Sequence, residues 1–121
     1  EIAATLQMAH ELSDHVILIY QPHQNSRQYQ IFEQYDDQLF KYADKVYWVP
    51  TYLTREDPSL KTLTPSDLTE KIIDKTKLVI SNLDEKLWKS VENDINNGCL
   101  ALFMGAGTID DWLRSKLSEE K

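Results

Sequence analysis

The segment Gln21-Pro22-His23-Gln24-Asn25-Ser26-Arg27 brings an imidazole, side-chain amides, a hydroxyl and a guanidinium into one short stretch. It follows directly on the apolar run Val16-Ile17-Leu18-Ile19-Tyr20. In open α/β sheets, ligands bind in the loops beyond the carboxyl ends of such strands. Arg27 offers a bidentate clamp for a carboxylate or phosphate, and a helix starting near Ser26 would aim its first N–H groups at the same anion. The plainer reading of these residues is that Ser26 caps the helix, Asn25 turns the chain and His23 is solvated. Polar loops with one His and one Arg are common, so the residues alone favour the plainer reading.

Other motifs carry less. Gly105-Ala106-Gly107 lies between a strand pattern and a helix pattern, but Asp110 stands where a dinucleotide-binding turn needs its third glycine. Asp110 and Asp111 in the first helical turn would also repel a pyrophosphate. His23 and Ser26 have no strained elbow or third orienting group, so no catalytic triad is assigned. His10, His15 and Cys99 lack metal-ligand spacing. The sequence has no G-x-x-x-x-G-K-[ST] loop to grip a nucleoside triphosphate.

The elements that position these residues alternate between helix and strand. Ile2, Leu6 and Ala9 recur at helical spacing over residues 1–13. Residues 16–20 read as a strand buried on both faces. A helix from Ser26 follows, with Phe32, Tyr35, Leu39 and Tyr42 on one face. A second strand covers residues 45–49, and residues 50–63, with Pro50 and Pro58, form a long surface loop. Thr64-Pro65-Ser66-Asp67 starts a short helix that buries Leu68 and Ile72. Leu78-Val79-Ile80 is a third strand. Asp84 opens a helix with Leu87, Val91 and Ile95 in register and Gly98 past its end. A fourth strand over residues 99–104 precedes a last helix, capped by Thr108 and burying Ile109, Trp112, Leu113 and Leu117. The expected fold is one α/β domain over residues 1–121: a three-layer, Rossmann-like arrangement with a mainly parallel sheet of about four strands and helices on both faces.

Composition narrows the function. A formal net charge of −7 with no Lys/Arg cluster argues against nucleic acid and anionic membranes as partners. No apolar run reaches the roughly 20 residues of a membrane-spanning helix. A single cysteine fits a reducing, cytoplasmic compartment. The chain opens inside a helical pattern without an initiator Met, as expected of a piece of a longer protein, and Glu119-Glu120-Lys121 reads as a solvated tail.

With the loops located, the whole chain resembles the C-terminal domain of the Mur ligases, and within them the L-alanine-adding branch. Gln21-Pro22-His23 with Ser26-Arg27 resembles the family's Q-P-H-R-x-S-R loop. Leu102-Phe103-Met104-Gly105-Ala106-Gly107 resembles its L-x-M-G-A-G-D-I stretch. Glu1-Ile2-Ala3-Ala4-Thr5-Leu6, Thr51-Tyr52 with Glu56, and Ser66-Asp67-Leu68 match further segments in order. Gln24 and Thr108 depart from the usual arginine and aspartate. The resemblance implies an ATP- and Mg2+-dependent ligase that joins L-alanine to UDP-N-acetylmuramate through an acyl phosphate. Both cofactors would be held mainly by domains outside this chain. It also implies that His23, Gln24, Ser26 and Arg27 bind substrate, with no catalytic or metal-binding residue here, and it lifts this loop above the plainer reading. A sister ligase that recycles murein peptides and a free-standing flavodoxin-like binding module are the competing readings.

Overall fold

The structure, a computed structural model, describes residues 1–119; the last two residues of the Glu119-Glu120-Lys121 tail lie outside it. Its elements in order are helix α1 (Ile2–Leu12), strand β1 (Val16–Tyr20), helix α2 (Asn25–Ile31) with a 3-10 turn at Phe32–Gln34, and strand β2 (Lys45–Trp48). Then come helix α3 (Pro65–Leu68), a 3-10 turn at Lys75–Lys77, strand β3 (Leu78–Ile80), helix α4 (Glu85–Asn96), strand β4 (Leu100–Met104) and helix α5 (Thr108–Glu119).

The four strands form one all-parallel sheet in the order β3-β2-β1-β4. Strand β1 is central, and all five of its residues are buried because both faces are covered. Side chains alternate across the pleat. Val16, Leu18 and Tyr20 join Leu6, Ala9, Tyr35, Phe40, Trp48, Leu68 and Ile72 on one face. Ile17 and Ile19 join Tyr47, Val49, Leu87, Trp88, Val91 and Ile109 on the other. Helices α1 and α3 therefore cover one side and α4 and α5 the other, which is the expected three-layer α/β sandwich.

Three local expectations are corrected. The helix expected to run from Ser26 through Tyr42 ends at Ile31 and closes in a 3-10 turn. Tyr35 leaves helical geometry at φ −80° and ψ 86°, and Asp36 accepts a hydrogen bond from Leu39 N at 3.0 Å, a local turn that replaces the next helical bond. Asp37 meanwhile accepts from Ile73 N and Asp74 N, so a long-range tie overrides the helical periodicity. Helix α3 is only one turn long, and Ile72 is buried from the turn beyond it. Ile95 and Leu117, expected in the buried stripes of α4 and α5, are 43% and 51% exposed; Trp88 takes the core position on α4.

Two expected helix starts hold. Thr64 and Asp67 form a reciprocal capping box with Pro65 at the first helical position. Asp84 caps α4 by accepting from Leu87 N at 2.9 Å. Gly98, with φ +95°, ends it.

Candidate functional site

Strands β1, β2 and β3 are laid down successively in one direction, and β4 then returns to the free side of β1. The sheet reverses its winding at that point, which is where open α/β sheets hold ligands. A crevice of about 710 Å³ opens there, between the carboxyl ends of β1 and β4. Tyr20, Gln21, His23, Gln24, Arg27 and Gln28 line one wall and Met104, Gly105 and Ala106 the other, with Glu1 and Ile2 at its margin.

Gln21 closes the floor. It is 5% exposed, and its carboxamide joins three elements. Nε2 donates to Thr108 Oγ1 at 3.0 Å and to Pro50 O at 3.3 Å, while Oε1 accepts from Ile109 N at 3.0 Å. Every polar atom of this buried amide is satisfied, and one otherwise orphaned N–H at the start of α5 is capped. Gly105 fits against it at φ +153°; a β-carbon there would approach Gln21 Cβ to 3.0 Å and Ile109 Cγ2 to 2.9 Å. The tight strand-to-helix turn expected at Gly105-Ala106-Gly107 is thus a packing requirement of the crevice wall.

His23 continues the sheet. It forms an isolated parallel bridge with Tyr52, in which Tyr52 N donates to Pro22 O at 2.9 Å and Gln24 N donates to Tyr52 O at 2.8 Å. The two rings lie 5.7 Å apart at 21°. Tyr52 in turn packs over Gly107, where a β-carbon would run into the ring.

Gln24 then takes the strained φ of +63° and turns the chain into α2. Ser26 does not cap the helix: the cap position is Gln24, and no side chain of this loop bonds there. The anion at the helix start is the chain's own Glu56. Its carboxylate accepts from Asn25 N at 2.9 Å, Ser26 N at 3.0 Å and Thr54 N at 2.9 Å. Burial pushes this carboxyl up, but the three backbone donors and the nearby His23 outweigh it and hold it below the usual carboxylate range. Asn25, 2% exposed, donates from Nδ2 to Lys61 O and accepts from Leu63 N, stitching the 50–63 loop to α2.

Gln28, one turn along α2, donates to His23 O at 3.0 Å and accepts from the Tyr35 hydroxyl at 2.6 Å. Tyr35 spends its proton on Gln28, so the Tyr20 hydroxyl donates to Tyr35 across 2.8 Å. Burial pushes both phenols up, and they line the crevice as neutral groups.

Of the four residues expected to bind substrate, His23, Gln24 and Arg27 line the crevice; Ser26 does not, and is tied back through its N–H. Arg27 is exposed, and among the described residues its guanidinium has no hydrogen-bond or ion-pair partner. Gln21, Tyr52 and Glu56 were not among the expected site residues. Gln21 stood in the polar segment after β1 and in the Q-P-H motif, but its structural role depends on its burial, which is set by the fold.

The remaining candidate ligands scatter. His10 stacks on Tyr42 at 4.7 Å, and His15 pairs with Asp44 at 2.9 Å. Among the described residues, no group of three or more His, Cys, Asp or Glu side chains converges to hold a metal, and no helix is long and apolar enough to cross a membrane.

A parallel, doubly wound sheet with a polar crevice at its switch point defines a Rossmann-like ligand-binding domain. No protein-family model matches the chain. Curated relatives do. The chain is 37% identical over 112 residues to a protein of Lachnospira eligens, 33% over 119 residues to one of Rickettsia felis and 34% over 125 residues to one of Jannaschia sp.. These matches cover 90%, 93% and 98% of the chain but only 24%, 24% and 26% of the relatives. The chain therefore spans about a quarter of the length of the relatives it matches, and nearly all of it is similar to that part of them. All three relatives bear one name, UDP-N-acetylmuramate–L-alanine ligase.

Proposed function

We propose that the chain is the C-terminal domain of a cytoplasmic, ATP-dependent ligase that joins L-alanine to UDP-N-acetylmuramate, and that it orients the amino acid and closes the cleft. The reading rests on its likeness to the named ligases and on one observation: Arg27, a cation with no hydrogen-bond or ion-pair partner among the described residues, lines the switch-point crevice of a chain whose net charge is −7. Of the arginines among the described residues, Arg27 is the one that lines the crevice, and its planar guanidinium suits bidentate contact with a carboxylate from outside.

In the proposed reaction the lactyl carboxylate of UDP-N-acetylmuramate receives the terminal phosphoryl group of ATP and ADP leaves; Mg2+ held outside this chain would balance the phosphate charge. The amine nitrogen of L-alanine then attacks the acyl carbon, the amide forms, phosphate leaves and the amine gives up its proton. ATP and Mg2+ are assigned to domains outside this chain. Arg27 holds the alanine carboxylate bidentately, and His23 and Gln24 supply neighbouring polar groups. Fixing that carboxylate aims the amine, and positioning of this kind accounts for a large share of the barrier lowering in amide-forming reactions. Closure over the cleft keeps water from the acyl phosphate.

A division of labour follows. The isolated chain is expected to hydrolyse no ATP and to show no thermal shift with millimolar L-alanine. The intact gene product is expected to release phosphate only when ATP, L-alanine and UDP-N-acetylmuramate are all present. ATP turnover by these 121 residues alone would overturn the reading.

A further inference from the structure

The turn from His23 into α2, the helix that carries Arg27, has a strained backbone. Gln24 sits at φ +63°, and Arg55, the residue it bonds across the gap through Nε2 at 3.3 Å, sits at φ +48°. Both are non-glycine residues in the sparsely populated left-handed half of backbone space, which persists only where surroundings over-determine it. The group placed to do so is Glu56. One of its oxygens accepts from Asn25 N and from Thr54 N, the other from Ser26 N. The carboxylate thus bonds both strained segments at once, on the residues directly beside Gln24 and Arg55. Among the described residues, the other hydrogen bonds between these segments join neutral groups.

We propose that Glu56 is a positioning residue for amino-acid recognition: by bridging the strained 50–63 loop and the start of α2, its carboxylate fixes the direction in which Arg27 and His23 face the crevice. The inference rests on the proposed ligase function, since it is the substrate carboxylate that Arg27 is positioned to meet. Glu56 itself does not line the crevice and touches no reacting atom. An amide in its place keeps the side-chain length but turns one acceptor into a donor that opposes Ser26 N. An aspartate keeps the charge but reaches less far.

The test is made in the full-length protein with Glu56→Gln, Glu56→Asp and, as a reference, Arg27→Ala. In Glu56→Gln, losing a charge-assisted bond is expected to raise the KM for L-alanine about tenfold while leaving the KM for ATP within about twofold. Hydrogen exchange at Asn25, Ser26 and Thr54 is expected to quicken, with exchange in β1 and β4 unchanged. Glu56→Asp should fall between wild type and Glu56→Gln in both readouts, which a merely unfolded domain would not do. Faster exchange at those three amides with an unchanged KM for L-alanine overturns the positioning role, and so does an equal rise in both KM values. If Arg27→Ala also leaves the KM for L-alanine unchanged, the ligase reading of the crevice fails with it; if Arg27→Ala raises that KM, only the role of Glu56 is lost.

Discussion

Gln21 Nε2 donates to Thr108 Oγ1 across 3.0 Å, although the two residues are 87 positions apart in the chain. With the bond from Ile109 N to Gln21 Oε1, it ties the end of β1 to the start of α5 at the floor of the crevice. Gln21→Leu leaves the Ile109 N–H buried without an acceptor, at a cost of about 1–3 kcal/mol. A lower urea midpoint with an unchanged m-value is the expected signature. A midpoint equal to wild type would mean that the amide contributes nothing to the closure of the sheet edge.

A second coupling runs behind His23. A β-carbon on Gly107 collides with the Tyr52 ring, on which His23 stacks. Gly107→Ala should destabilise by about 1–3 kcal/mol, as overpacking does. In a Tyr52→Ala background the same change should cost close to nothing. A double-mutant cycle measures this coupling, and additive effects would show that ring and glycine are independent.

Acid should loosen the site through Glu56. Its folded-state pKa is lowered, so its stabilising contribution is fully present above the unfolded value of about 4.3 and is lost as pH falls through the lower folded value. Asp67, held down by hydrogen bonds from Thr64, and Asp37, held down by those from Ile73 and Asp74, act in the same direction. Melting temperature should therefore hold steady from neutral pH down to about pH 5 and fall below about pH 4. The Glu56→Gln protein should melt lower at neutral pH and show a shallower acid decline. Parallel curves for the two proteins would remove Glu56 from the acid response.

The sheet was legible in the sequence because its strands are short apolar runs, although only β1 is buried along its whole length. Val16 to Tyr20 and Leu78 to Ile80 read as uninterrupted apolar runs, and the structure bounds them at the same residues. Caps made by near neighbours, such as Thr64 with Asp67, were equally legible. The second helix was not: the periodicity of Phe32, Tyr35, Leu39 and Tyr42 is real, but bonds from Ile73 and Asp74 to Asp37 win against it. The start of α2 failed for the same physical reason. Ser26 looks like a cap, yet the carboxylate that serves there comes from 30 residues further along. The loop bearing His23, Gln24 and Arg27 was visible as a dense run of polar types beyond a buried strand. Its frame of Gln21, Tyr52 and Glu56 was not, because tertiary contacts define it.

The central claim is that Arg27 meets the carboxylate of the incoming amino acid at the switch-point crevice. Steady-state kinetics of Arg27→Ala and Arg27→Lys in the full-length protein, with L-alanine varied at saturating ATP and UDP-N-acetylmuramate, test it most directly. Loss of a bidentate charged contact predicts a rise of about 10- to 100-fold in the KM for L-alanine for Arg27→Ala, a smaller rise for Arg27→Lys, and unaltered melting temperatures. Wild-type kinetics in a stably folded Arg27→Ala protein would contradict the claim.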